Sequence, residues 1–213
     1  MGFKNLLATK SHVEMNEVMK KFWDDVDIKS RPLVGLDLRM MRLSDSVILV
    51  TKGCTNKDLN RLTKAVTRLI QLSFKMKLPI KGAIAKGKLT LDEERQLVFG
   101  QALVDAYKLE EELFYYGVAV HHSIEQLVKD NLATQPYHLL TLPMKSGNIP
   151  HYQLSYHKMS YSLDKKDITD LIMNHLDQIQ SDVSCRPRIY IENTRKVLKE
   201  VNDIAKEHPE DSL

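Results

Sequence analysis

Asp45 is the residue whose setting most suggests chemistry. It stands in Leu43-Ser44-Asp45-Ser46-Val47-Ile48-Leu49-Val50, a short polar tip between apolar runs. Carboxylates attract divalent cations, and Mg²⁺ commonly takes one or two of them together with phosphate oxygens of a nucleotide. A pair of such metals can activate an attacking hydroxyl and stabilise a leaving pyrophosphate. An Asp between serines is equally an ordinary turn residue that bonds its own backbone, so the residues alone leave both readings open. Asp37 competes as an acid, but its alternate strand position turns it toward solvent.

Two further clusters suit phosphate. In Pro79-Ile80-Lys81-Gly82-Ala83-Ile84-Ala85-Lys86-Gly87, Gly82 permits close approach of a ligand within a strand, and Lys81 can reach a phosphate. The alternative is a buried strand with a solvated lysine. In Val98-Phe99-Gly100-Gln101-Ala102-Leu103-Val104-Asp105-Ala106-Tyr107-Lys108, Gly100 marks a strand-to-helix junction that exposes amides to an anion. No GxGxxG or GxxxxGK[ST] pattern accompanies it. Lys108 either points across a subunit seam or pairs with Glu111 or Glu112. His121, His122, His138, His151 and His157 fit no zinc spacing and are read as structural.

The elements that must position these residues follow from periodicity. Val13, Met15, Val18, Met19, Phe22 and Val26 predict a helix over 11–26, with Ser11 as its cap. Alternation predicts strands over 33–41 and 47–51, joined as a hairpin at Ser44-Asp45-Ser46. Leu59, Leu62, Val66, Leu69 and Ile70 predict a long helix over 56–76. Strands are expected at 80–85, 96–99 and 118–121, with a helix opening at Gly100 and a short helix capped by Ser123. Beyond residue 133, strands at 137–143 and 151–156 precede helices at 167–180 and 193–206, and the tail from Glu207 is expected to fray. With one strand added in front, the order up to residue 121 becomes βαββαβ, a split ferredoxin-like arrangement that brings the hairpin tip beside the end of the first strand.

Composition narrows the class. The 213 residues suffice for one domain with a full core, 43% of them hydrophobic and 28% charged. A formal charge of +3 is too small to argue for nucleic acid or a membrane surface. Cys54 and Cys185 form no CxxC, which suits a reducing compartment. No signal peptide or membrane-length apolar run is read, so a cytoplasmic location is expected.

Taken together, Gly2-Phe3-Lys4-Asn5-Leu6-Leu7, Leu43-Ser44-Asp45-Ser46-Val47, Ile80-Lys81-Gly82-Ala83-Ile84-Ala85-x-Gly87 and Val98-Phe99-Gly100-x-Ala102-Leu103-x-x-Ala106-Tyr107-x-Leu109-Glu110 resemble the class III nucleotidyl cyclase catalytic domain. They look most like the bacterial pyrimidine cyclases of the Pycsar anti-phage defence system, to which Arg188-Ile189-Tyr190-Ile191-Glu192-Asn193-Thr194 is also similar. The resemblance implies an α+β fold: a ferredoxin-like cyclase core over 1–132, its first strand truncated, and a C-terminal α/β extension over 133–213 packed on the same domain. It implies a homodimer with sites at the subunit interface and two Mg²⁺ or Mn²⁺ ions. Asp45 would be one metal ligand, and the other would lie just ahead of Met1, so a longer working chain is expected. Lys81, Gly82 and Gly100 would contact the nucleoside triphosphate, with Lys108 in a catalytic role. UTP or CTP would become the 3′,5′-cyclic monophosphate, read by a separate effector; neither nucleic acid nor membrane is an expected partner.

The chain departs from the family pattern at three positions. Val104 and Lys108 stand where many purine cyclases carry Asn and Arg, and Lys81 replaces an Arg and loses its bidentate fork. A catalytically inactive, nucleotide-binding relative is therefore the second expectation. A polymerase-type palm, built on the same sheet, is a distant third for want of a basic template face.

Overall fold

A computed structural model describes residues 11–30, 37–43, 46–95, 97–157 and 168–207. Its elements run α1 (His12–Ser30), β1 (Leu38–Leu43), β2 (Ser46–Thr51), α2 (Asn56–Lys75), β3 (Gly82–Ile84), β4 (Thr90–Asp92), β5 (Leu97–Phe99), α3 (Gln101–Glu112), β6 (Val118–Val120), α4 (His122–Lys129), β7 (Tyr137–Met144), β8 (Gly147–Leu154), α5 (Thr169–Ser181) and α6 (Arg186–Glu207). The fold is α+β, and each expected helix and strand has a counterpart.

Local sequence explains most boundaries. Ser11 and Glu14 form a reciprocal cap ahead of α1, with Ser11 N donating to Glu14 Oε2 at 2.8 Å. Thr55 and Asp58 do the same for α2, and these hydrogen bonds hold the Asp58 carboxyl below its usual range. Several boundaries differ from expectation: α1 runs on to Ser30, β1 spans Leu38–Leu43 against the expected 33–41 (31–36 lie outside the described residues), and β4 has no counterpart among the expected strands. β8 begins at Gly147 rather than 151, because β7 and β8 pair along their full length from Tyr137↔Leu154 to Met144↔Gly147. Pro143 and Pro150 sit inside this ladder. β7 is an edge strand, and β6 meets β8 only at Gln153, so both prolines lie where one side needs no N–H. α6 opens at Arg186, since Pro187 fits a first helical turn where its missing N–H is no loss. The cap of α4 is His121, not Ser123.

The strands form three sheets among the described residues. β1 and β2 make an antiparallel pair, as do β4 and β5. β3, β6, β8 and β7 make a four-stranded sheet in that order, with β3 and β6 parallel and the rest antiparallel. Alternation in β6 sends Val118 and Val120 toward a core shared with α2, α4, α5 and α6, while Ala119 faces a second core with Leu109, Leu142, Val197 and Val201. Residues 133–213 thus supply half the main sheet and helices on both its faces. No described strand joins the β1–β2 hairpin to this sheet. Instead Met40 and Val47 of the hairpin pack with Phe22, Leu69, Leu72 and Ile80 in a third cluster.

Candidate functional site

The hairpin that carries the sequence's leading candidate is formed. Leu43 pairs with Ser46 across it, and Asp45 itself lies outside the described residues. Asp37, at the other end of β1, is half exposed and pairs with Arg61 of α2 at 3.1 Å.

Lys81 is not left solvated. Its ammonium donates to the carbonyl of Glu110 at 2.6 Å, pairs with the Glu110 carboxylate at 3.1 Å and lies 6.0 Å from the centre of the Tyr190 ring. It therefore caps the C-terminal end of α3, where a cation satisfies orphan carbonyls and complements the helix dipole. Gly82 donates its N–H to Gly117 at 2.9 Å, and an added Cβ would meet only Val118 Cγ2 at 3.6 Å. Among the described residues nothing demands glycine there.

Gly100 is demanded. Its φ of +146° and ψ of 169° occupy a region essentially reserved for glycine. A Cβ would lie 2.3 Å from Lys88 O and 2.7 Å from Leu89 Cα, so the 88–89 backbone crosses directly over the start of α3. Gly87 packs against Ala102 at the same junction. Because Gly100 precedes α3 and Lys81 closes it ten residues on, the two are separated along the helix by roughly 15 Å. One phosphate of one subunit cannot use both.

Lys108 is exposed on α3, and among the described residues no carboxylate holds it; Glu111 instead accepts from Tyr107 Oη at 3.0 Å. α3 also exposes Val104 and Tyr107, and β5 exposes Leu97 and Phe99 at 45% and 53%. Val104 and Phe99 are large apolar side chains left in water on one stretch of chain, the kind of surface that marks an interface.

The histidines gather more closely than their spacing suggested. His121 follows β6 directly, its N–H bonded to Ile84 O at 2.8 Å, and its ring lies 4.0 Å from that of His122. His121 Nδ1 accepts from Ser123 N at 3.3 Å and thereby caps α4. Burial, then the neighbouring His122, lowers its pKa against the upward pull of Asp105 and Glu125; His151 adds to the lowering. The cap needs a neutral nitrogen, so geometry and electrostatics agree. This contribution to stability is complete above about pH 6.5, the ordinary value, and declines as pH falls through the lower folded one. His121→Asn keeps an acceptor at the cap and removes the titration. Urea midpoints measured from about pH 7 to about pH 5 should fall less for this variant than for the parent; equal slopes would contradict the assignment.

Among the described residues no group of three or more His, Cys, Asp or Glu is placed to hold a metal ion. With Asp45 outside them, the two-metal arrangement rests on the resemblance alone. Nor is any described helix long and apolar enough to cross a membrane. No protein-family model, curated protein or solved structure matches the chain.

Proposed function

We propose that the chain is a pyrimidine nucleotide cyclase acting as a homodimer. It converts UTP or CTP to the 3′,5′-cyclic monophosphate and pyrophosphate, as a second messenger in antiviral defence in the cytoplasm. The observation that carries this reading is the hairpin: strands on either side of Ser44-Asp45 pair up to their tip, and their apolar side packs with Ile80, immediately before Lys81-Gly82. In a ferredoxin-like cyclase core that tip lies beside the end of the first strand.

In the proposed reaction the ribose 3′-oxygen attacks the α-phosphorus in line. A new P–O bond forms as the bond to the β-phosphate oxygen breaks, and the hydroxyl proton leaves to solvent. Bound Mg²⁺ or Mn²⁺ would supply charge neutralisation on the triphosphate. The protein's share is positioning. Exposed Lys108, one helical turn from the exposed apolar Val104, suits a residue presented to a partner subunit's substrate. An interfacial site also relieves the separation of Lys81 from Gly100, since the two can serve different sites.

A second reading, a nucleotide-binding relative without turnover, draws support from Lys81, whose ammonium is committed to α3. Incubation of the protein with each nucleoside triphosphate and Mn²⁺, read by mass spectrometry, separates the two. Cyclic UMP or cyclic CMP with pyrophosphate is expected. Triphosphate binding with no cyclic product from any of the four establishes the second reading, and cyclic purine products overturn the base assignment.

A further inference from the structure

We propose that His121 and Ser123 form a proton-sensitive latch on the turn after β3, the segment that lies across the start of α3. The latch is read by hydrogen exchange rather than by turnover, so it and the cyclase reading can fail separately.

Three polar contacts converge on Ser123. Lys86 N–H donates to Ser123 Oγ at 2.9 Å, Ser123 Oγ lies 3.0 Å from His121 Nδ1, and Ser123 N–H donates to the same nitrogen at 3.3 Å. A backbone N–H can only donate, so Nδ1 accepts and carries no proton, which places the ring's proton on Nε2. The serine hydroxyl then gives its hydrogen to Nδ1 and its oxygen receives Lys86. His121 is itself anchored by its own N–H on Ile84 O at 2.8 Å, at the end of the parallel pair β3–β6.

The turn held in this way presses on the first residues of α3. Lys88 O accepts from Ala102 N–H at 3.5 Å, Gly87 stands against Ala102, and Lys88 O with Leu89 Cα leaves no room for a side chain at Gly100. Lys86, Gly87 and Lys88 are exposed. One serine hydroxyl therefore ties an exposed turn, and through it the glycine junction, to the start of α4.

A proton on Nδ1 reverses the arrangement. Nδ1–H then faces Ser123 N–H, donor against donor, and a cation stands at the N-terminal end of α4, where the helix dipole opposes it. Turning the hydroxyl hydrogen away relieves only one of the two conflicts, because the Ser123 N–H is fixed by the backbone. The charged groups around the ring set its direction of escape. His122 on α4, with ring centres 4.0 Å apart, and His151 on β8 disfavour the imidazolium, whereas Asp105 on α3 and Glu125 on α4 attract it. The ring leaves Ser123 for these carboxylates, the hydroxyl loses the acceptor that orients it, and the turn is released. Burial, then His122, lowers the pKa of His121, so release comes on acidification below about pH 6.5.

Amide hydrogen exchange of the full chain, followed by NMR as protection factors at about pH 7 and about pH 5, tests the latch. Protection of Lys86 N–H should fall about tenfold between them, the scale of one lost hydrogen bond. Met76 N–H, bonded to Leu72 O at the end of α2, is the control and should change less than about twofold. In His121→Asn, which keeps an acceptor and cannot titrate, Lys86 should be equally protected at both pH values. Ser123→Ala should lower Lys86 protection about tenfold already at pH 7, with no further fall at pH 5. Imidazole ¹⁵N shifts at pH 7 should place the His121 proton on Nε2. If His121→Asn fails to fold, the serine variant and the tautomer still decide. Undiminished Lys86 protection in Ser123→Ala overturns the proposal, as does a proton on Nδ1 at pH 7. So does a fall in His121→Asn as large as the parent's, or an equal fall at Met76, which would mark general loosening.

Discussion

Gly100→Ala is expected to destabilise the fold by about 3 to 5 kcal/mol. Two effects add: a backbone region open essentially to glycine alone, worth about 1–3 kcal/mol, and overpacking of similar size. The overpacking is severe because the opposing atoms are Lys88 O and Leu89 Cα, backbone that moves only if the whole 86–90 turn moves. The shift in urea midpoint measures it, and a loss under about 1 kcal/mol would show that the turn yields freely. Gly82→Ala is the control. Its added methyl meets Val118 Cγ2 at an ordinary 3.6 Å, so stability should hold within about 1 kcal/mol. Should Gly82→Ala abolish nucleotide turnover while leaving the midpoint unchanged, the glycine serves a ligand's approach. Gly100 offers no such separation, because any loss of activity there would be confounded with loss of structure.

Asp45→Ala should reduce cyclic nucleotide formation at least about 100-fold, if the proposed cyclase activity is present. A carboxylate that holds the cation on a triphosphate acts mainly in the transition state, where charge on the phosphoryl oxygens and the leaving pyrophosphate is greatest. The loss should therefore fall on kcat/KM, with the urea midpoint nearly unchanged. Asp37→Ala makes the comparison sharp. Asp37 pairs with Arg61 instead, so its removal should leave turnover near the parental level. Equal activity in Asp45→Ala and the parent would remove the acid from the mechanism and with it the main argument for cyclase chemistry.

Much of the fold was legible because it is local. The apolar stripe of α2, the alternation in β1 and the cap at Ser11 are properties of a few neighbouring residues, and each element formed over most of its expected span. The glycine at residue 100 was also legible as a junction, though not its cause: the backbone pressing on it comes from residues 88–89, which no pattern at 100 could announce.

The sequence by itself therefore determined where the helices and strands lie, which faces are apolar, and which few residues carry chemistry worth testing. Tertiary structure decided what those residues touch. It committed Lys81 to the carbonyls ending α3, placed two prolines inside a ladder, gave the α4 cap to His121, and put half the main sheet in the segment read as an extension. The division has a physical origin. Periodicity and capping act over one or two turns of chain, whereas strand order and side-chain partners depend on contacts between residues far apart in sequence, whose energies no local window contains.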